Sequence, residues 1–597
     1  MALPCAATTN ILTVTTNLPA GAGSLSNAIV QANTTSAGDT NLIQFNIPPF
    51  DGTVKTIALT APLDNITRRT IIDGYSQPGA SANTLANGDN ARPLIELSGP
   101  ASGSGLTIST SGSGSTVRGL IINRFGDGIY LNGATNCVIE GNFIGTDATG
   151  LLARTNFNHG IELSEAIMNR IGGTNAAARN ILSGNFRMGL FIGGGSISNL
   201  VQGNFVGVDA TGTNALGNGS EGIRIVGGSG VTGNLIGGAI GSARNIVSGN
   251  TADGIVVTFG PFGNVVQGNY VGTDVTGTRP LGNADGVQIS ANGSNSVIAN
   301  VICANRQHGV VVESAEVNSL VQGNFIGVDA TGTNALGNAF DGIIITDGVG
   351  TSVGGTNAGD GNIIAHNGAV GVSVYFGDAV NNAILGNSIF DNGKLGIDLT
   401  LEDGVSPNDP GDTDGGPNRL QNFPIITGVG INGGNVALSG TLNSTANASF
   451  RLEFFSNPSC GASGHGEGKN FLGFTNVITD GRGNASFALT LANPFGGSVF
   501  TATATDSNGN TSEFSACASS VSPQFTSVRL FGINLVISGS GGISNATYHI
   551  VTATNITLPL TNWIPLLTNQ FDAGGNFIFT NAITPGVPMR FYRVSVP

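Results

Sequence analysis

The sequence predicts an all-β solenoid, a parallel β-helix followed by smaller β modules, and three observations carry that prediction. The phrase GNFVGVDATGTNALGN at residues 203–218 returns as GNFIGVDATGTNALGN at 323–338, with a variant at 268–283 and a shortened copy at 141–150. Repeats of this kind build solenoids, in which each unit buries its apolar face only against its neighbours. A residue followed by Gly opens an alternating apolar run at Asp127, His159, Met188, Glu221, Asp253, Asp285, His308, Asp341, Val370 and Leu395. That period belongs to strands with one buried face, the rungs of the stack. An Asn precedes nearly every start by three residues, at Asn156, Asn185, Asn218, Asn250, Asn305, Asn338, Asn367 and Asn392, with Asn283 displaced by one. Stacked at the strand spacing of about 4.8 Å, such amides can hydrogen-bond up the column and serve as scaffold.

The repeat length selects the kind of solenoid. Glu221 to Asp253 spans 32 residues, but Asp285 to His308 spans only 23. The short turn lacks the stretch its sisters show at 236–244, so that stretch is expected to be a removable loop. About 23 residues per turn suits three short strands and tight bends, and is too few for a strand-plus-helix horseshoe.

Upstream, residues 11–125 form the cap and first irregular rungs. Ser24 to Asn33 places Leu25, Ala28, Ile29 and Ala32 on one helical face, a short amphipathic helix suited to covering the open end of the stack. Strand-like pieces follow at 42–47, 54–59, 69–73, 94–97, 106–108 and 117–122, and residues 76–93 read as an excursion. The regular helix occupies 126–400. An acidic linker at 401–424 leads to alternating strands over 425–520, an immunoglobulin-like sandwich pattern. A small β module with the only Trp, Trp563, closes the chain at 524–597.

Composition narrows the partners. Of 597 residues, 94 are Gly and only 10% are charged, a turn-rich β profile with sustained apolar periodicity. A net charge of −14 with 22 Lys plus Arg argues against nucleic acid and anionic membranes, which need basic patches. Cations or neutral glycans are the easier partners. No apolar run reaches the roughly eighteen residues of a membrane span, and no signal peptide is visible at the start given. Export to the medium or cell surface is nonetheless the expectation, from the Thr/Asn/Ser/Gly-rich solenoid and the cysteines. Cys460 and Cys517 fall in one β-rich segment and are expected to pair. Cys137 stands where sister repeats have Asn199 and Asn264, and Cys303 where they have Ser183 and Ser248, so both read as small buried fillers. Cys5 is left over.

The opening Leu12-Thr-Val-Thr-Thr, the run Gly23 to Asn33 and the segment from Ile72 (IDGYSQPGA), taken with the repeats, resemble bacterial β-helix proteins with a CSLREA-type start. Here the signature reads Gly-Ser-Leu-Ser-Asn-Ala. The resemblance covers about residues 11–400, with the segment to 520 resembling the sandwich that trails such helices. It implies a secreted right-handed parallel β-helix and no settled activity.

Candidate sites lie on the rungs. The outward slots are Tyr130, Glu162, Phe191, Arg224, Val256, Gln288, Val311, Ile344, Ser373 and Asp398, each between two inward apolar residues. In the column before each Gly, Glu221, Asp253 and Asp285 should stack one rung apart, close enough to raise a pKa or recruit a cation. They are the catalytic candidates, with Arg224, Gln288, His308 and Asp341 as substrate-binding candidates. The competing reading makes these acids Asx-type turn residues, because they recur where a catalytic pair should be singular. His159 and His308 share the column but stand too far apart for one site. The aromatics Phe143, Phe205, Tyr270 and Phe325, two rungs apart, read as sugar platforms or as an internal stack.

Enzymes of this fold supply a comparison. A pectate-lyase-like site needs calcium-binding acids with an Arg or Lys base on one face. A polygalacturonase-like site needs adjacent Asp-Asp with Gly-His-Gly and Arg-x-Lys. The helix carries neither set, and Gly464-His465-Gly466 falls in the sandwich. Asp409, Asp412 and Asp414, among Gly and Pro, are the metal candidates: clustered carboxylates suit calcium, and the same segment reads equally as a solvated linker. Residues 506–513 are a second cation loop or an ordinary turn. No cofactor is otherwise required. Two functions remain: an extracellular scaffold or adhesin presenting polar ladders to polysaccharide or a neighbouring surface, with end-to-end or lateral self-association through exposed edges, or a lyase or glycoside hydrolase with its site in the groove of the helix.

Overall fold

A computed structural model describes residues 8–228, 230–290, 293–313, 318–377, 379–400, 404–432, 434–520, 523–542, 545–583, 586 and 589–596. Cys5 lies outside them. The chain divides into two compact units, one built on residues up to Gly404 and one on the segments from Val405 onward.

The first unit is a right-handed parallel β-helix of three long sheets with thirteen, twelve and eleven strands. From the turn opened by Thr70–Asp73 onward each turn gives one strand to each sheet, and the strands pair in register with those of the turns before and after. The helix α1 (Leu25–Asn33) lies at its start, capped by Ser24 accepting from the N–H of Asn27, with Leu25, Ala28, Ile29 and Ala32 buried. Its packing follows from the apolar face read in the sequence. The piece at 117–122 is two strands, Thr116–Arg118 and Leu120–Asn123, because the chain turns a corner at Gly119 with φ +72°. The removable loop is also shorter than expected. Ile236 belongs to the strand Leu235–Gly237, so the insertion begins after it and contains the short 3-10 turn Gly241–Ala243.

Three Asn ladders hold the bends. In the column read from the sequence, each amide nitrogen from Asn156 to Asn367 donates to the amide oxygen one turn on, over 2.9–3.2 Å. Asn283 takes its place in that file despite its displaced spacing. A second ladder runs from Asn142 through Asn180, Asn204, Asn245, Asn269, Asn300 and Asn324 to Asn362 and Asn387. A third links Asn169, Asn199, Asn234, Asn264 and Asn295. Cys137 occupies the head of the third, its N–H donating to Asn169 at 2.8 Å, and Cys303 is buried in a Ser slot, as expected. These side chains satisfy backbone groups at bends buried from water.

The aromatic column is not internal; Phe143, Phe205 and Tyr270 are buried and Phe325 is half-buried. Phe143, Phe205, Tyr270 and Phe325 alternate with Ile181, Ile246 and Val301 on the outer face of the second sheet. The inward residues of those strands are their neighbours Ile144, Val206, Val271 and Ile326, whose methyls lie where a Cβ on the third-sheet glycines would go. The recurring phrase folds as a loop over this outer face. In it, Asp209 and Asp329 accept from the backbone and hydroxyl of the Thr two residues on, at 3.1 and 2.6 Å. Its Gly212 packs so closely that an added Cβ would meet Phe205 Cζ at 2.9 Å, at a φ of +69°. The phrase is therefore a lid for a satellite core that these aromatics join.

The second unit holds a two-sheet antiparallel sandwich of three and four strands, Ile425–Asn432 to Ala518–Ser519, around Val436, Leu438, Phe450, Leu452, Phe454 and Phe500. Cys460 and Cys517 are joined by a disulfide. Two further three-stranded antiparallel sheets follow, with Tyr548, Ile550, Phe571 and Phe577 in their core.

Candidate functional site

The third sheet carries the candidate residues read from the rungs. Its outward residues form one file, Tyr130, Glu162, Phe191, Arg224, Val256, Gln288, Val311, Ile344, Ser373 and Asp398, each over the next. Beside it runs the column from Asp127 to Asp341.

In that column the acids tie one turn to the next. Asp127 Oδ1 accepts the N–H of His159 (3.1 Å), Asp253 Oδ1 that of Asp285 (3.0 Å), Asp285 Oδ1 that of His308 (2.7 Å) and Asp341 Oδ1 that of Val370 (2.9 Å). The expected Asx-type role is corrected in detail: the carboxylate reaches the backbone of the following turn, not its own. The predicted catalytic trio does stack. Burial, then the neighbouring carboxylates, push Asp253 up to about 6, and burial raises Asp285. Glu221 is instead engaged by Arg224 at 2.9 Å and by Ser220. The substrate-binding candidates are likewise occupied within the sheet. Gln288 donates to Glu313 (2.8 Å), Asp341 accepts from Ser373 (3.0 Å), and His308 Nδ1 accepts from the N–H of Asp341 (3.3 Å). His159 and His308 stand five turns apart in the column, which keeps them in separate sites.

Toward the start of the helix the pattern breaks. An imidazole nitrogen of His159 and one oxygen each from Asp127 and Glu162 all lie within 4.8 Å of one another. The His159 ring stacks on Phe191 with centroids 5.0 Å apart and planes 13° from parallel. Burial lowers the His159 pKa, while burial and then the Asp127 carboxyl push Glu162 up to about 7. In the bends that lead into these turns two phenylalanines face water one turn apart: Phe157 is 51% and Phe186 64% exposed. Their backbones keep them in step, the N–H of Phe157 donating to Phe125 and that of Phe186 to Asn156. Sequence reading noted Glu162 and His159 separately but did not join them, and it passed over both phenylalanines.

Two other features lie apart. On the second sheet, a cleft of about 380 Å³ is lined by Asn87, Thr174, Phe205, Arg244 and Val275, with the Arg244 guanidinium 3.7 Å above the Tyr270 ring. In the second unit, Asp409, Asp412 and Asp414 do come together, each offering an oxygen within 4.8 Å of the others. Asp412 accepts from Ser444 and from the N–H of Asn422 (3.1 Å), and burial pushes it up to about 6. Asp506 accepts the N–H of Asn508 at 2.8 Å, the geometry of a turn. Among the described residues no helix is long and apolar enough to cross a membrane.

No protein-family model matches this chain, and no curated protein matches it in sequence. Solved structures similar to it include the A-module of the Azotobacter vinelandii mannuronan C-5 epimerase AlgE4, at 14% identity over 67% of this chain and 98% of that one, TM-score 0.32. The catalytic domain of a GH87 α-1,3-glucanase, in complex with tetrasaccharides, is 13% identical over 67% of each chain, TM-score 0.37. The pectate lyase Pel9A is 12% identical over 65% of this chain and 80% of its own, TM-score 0.26. At such scores no chemistry transfers, and the fold stands on the sheet order and register above.

Proposed function

We propose that this chain is an exported glycan-binding β-helix that holds polysaccharide along the early turns of its third sheet. The observation that carries the reading is the pair of water-facing rings, Phe157 and Phe186, one turn apart in the bends that lead into the strands carrying Glu162 and Phe191. A sugar ring has an apolar C–H face and a rim of hydroxyls. Exposed aromatic rings supply the matching flat surface, and a neighbouring strip of carboxylate, phenol and guanidinium supplies the hydrogen-bonding rim. The net charge of −14 favours neutral or cation-bridged chains over strongly anionic ones. The disulfide between Cys460 and Cys517 supports an oxidising compartment. The cluster Asp409, Asp412 and Asp414 supports calcium in the second unit, since hard cations take several carboxylate oxygens.

The test is affinity electrophoresis against a panel of plant and algal polysaccharides, with parallel assays for new reducing ends and unsaturated products. Retardation by at least one polysaccharide, abolished in a Phe157→Ala/Phe186→Ala variant of unchanged melting temperature, is the expected result. Retardation unaffected by that double change would overturn the reading. Turnover of the bound polysaccharide that disappears in Glu162→Gln would replace the scaffold role with a catalytic one at the same place.

A further inference from the structure

Along the third sheet the column residue and the outward residue three positions later form a repeating pair. The pairs are Asp127 with Tyr130, His159 with Glu162, Met188 with Phe191, Glu221 with Arg224, Asp253 with Val256, Asp285 with Gln288, His308 with Val311 and Asp341 with Ile344. In these pairs a column acid meets a cation, a neutral group or an apolar group. At the first two turns alone, a column carboxylate, a column imidazole and an outward carboxylate converge.

Two independent features of this convergence call for a ligand. A carboxyl oxygen of Glu162 lies within 4.8 Å of one of Asp127, whose Oδ1 already serves the N–H of His159 and the amide of Asn158 (2.8 Å). His159 is only 6% exposed, and its Nδ1 is buried with no hydrogen-bond partner among the described residues. Two half-buried carboxylates this near each other favour a positive charge or a proton between them. A buried imidazole nitrogen without a partner needs something to bind. A cation seated among the three donors would relieve the carboxylates and engage the imidazole they face.

We propose that Asp127, His159 and Glu162 bind a divalent transition-metal cation, of the zinc or manganese kind, on the outer face of the β-helix. The donor atoms span at most 4.8 Å, so side-chain adjustments of about 1 Å would draw them to the roughly 3–4 Å separations that bonds of about 2.1 Å require. The imidazole selects against calcium and magnesium, which take oxygen ligands, and in favour of metals that accept nitrogen. Three protein ligands on a surface leave coordination positions for water or for a ligand hydroxyl. The parallel ring of Phe191 stacks on His159 and fixes its plane, as a supporting shell does for metal-binding histidines. This site goes beyond glycan binding and does not require it, so it is tested with no glycan present.

The experiment uses the full chain carrying Asp412→Asn, which silences the acidic cluster of the second unit, stripped with chelator and titrated calorimetrically with zinc, manganese and calcium chlorides. One zinc or manganese ion per chain is expected, bound at least tenfold more tightly than calcium. Glu162→Gln, which keeps the shape of the side chain, and His159→Ala should each weaken binding tenfold or more, with the circular dichroism of the metal-free protein unchanged. If His159→Ala misfolds, Glu162→Gln decides alone. The proposal is overturned if neither metal binds, if calcium binds as tightly, or if binding survives Glu162→Gln undiminished.

Discussion

Replacing Asn250 by Ala tests the ladder that makes the stack. The Asn250 side chain accepts from the backbone N–H of Asn218 (3.2 Å) and from its amide nitrogen (2.9 Å). It donates to Asn283 (3.0 Å) and to the carbonyl of Val206 (3.3 Å). Truncation leaves two donors of Asn218 without acceptors, at positions where Asn218, Asn250 and Asn283 are all 0% exposed. Each buried orphan costs about 1–3 kcal/mol, so the loss should fall near 4 kcal/mol. Because solenoid turns feel only their neighbours, the damage should be local. Urea unfolding followed by circular dichroism gives the total, and hydrogen exchange gives the place: faster exchange in the turns starting at Glu221, Asp253 and Asp285, with distant turns unaffected. The exposed Asn87→Ala, on the same unit, should cost within about 0.5 kcal/mol. A loss for Asn250→Ala no larger than that of the control, or exchange raised evenly along the helix, would refute the ladder as a stabilising element.

Other outcomes follow from the same geometry. Glu162 is raised to about 7 by burial and by Asp127, so in metal-free protein its contribution to stability is full below the ordinary carboxyl range and lost as pH rises toward 7 and beyond. Melting temperatures measured from pH 4 to 8 should show this decline, and Glu162→Gln should flatten it. Cys460→Ser with Cys517→Ser opens a loop of sequence separation 57 and should cost the sandwich about 4 kcal/mol in the chain-entropy model, read by urea unfolding of the second unit. Calcium should raise the melting temperature of the second unit in the natural chain and leave it unchanged in Asp412→Asn; equal shifts in both would remove calcium from that cluster. Gly212→Ala forces a Cβ against Phe205 at positive φ and should loosen the lid, seen as faster exchange over residues 205–216.

The fold was legible because its rules are local and repeat. Alternation marks a strand, a Gly marks the bend before it, and an Asn at fixed offset marks a ladder, so ten rung starts could be placed from letters alone. The second ladder was equally visible, as the Asn after Gly at Asn142, Asn204, Asn269, Asn324 and Asn387, but it sat inside the recurring phrase and was absorbed into it. The phrase itself misled about the aromatics: period-two alternation cannot say that an outer face is roofed by a loop, so Phe205 and Tyr270 read as internal or as platforms. The site was harder still. Asp127 and Glu162 lie 35 residues apart and in different files, so their meeting depends on how two side chains lean across a turn. Phe157 and Phe186 stand in the entry bends, outside any periodic slot, where a lone apolar residue carries no signal until its exposure is known.

The central claim is that the early third-sheet face is where ligand sits, and hydrogen exchange with and without a retarding polysaccharide tests it most directly. Protection should appear in the turns carrying Tyr130, Phe157, Glu162, Phe186 and Phe191. Protection centred on the Arg244 cleft, on Asp253 and Asp285, or in the second unit would contradict it.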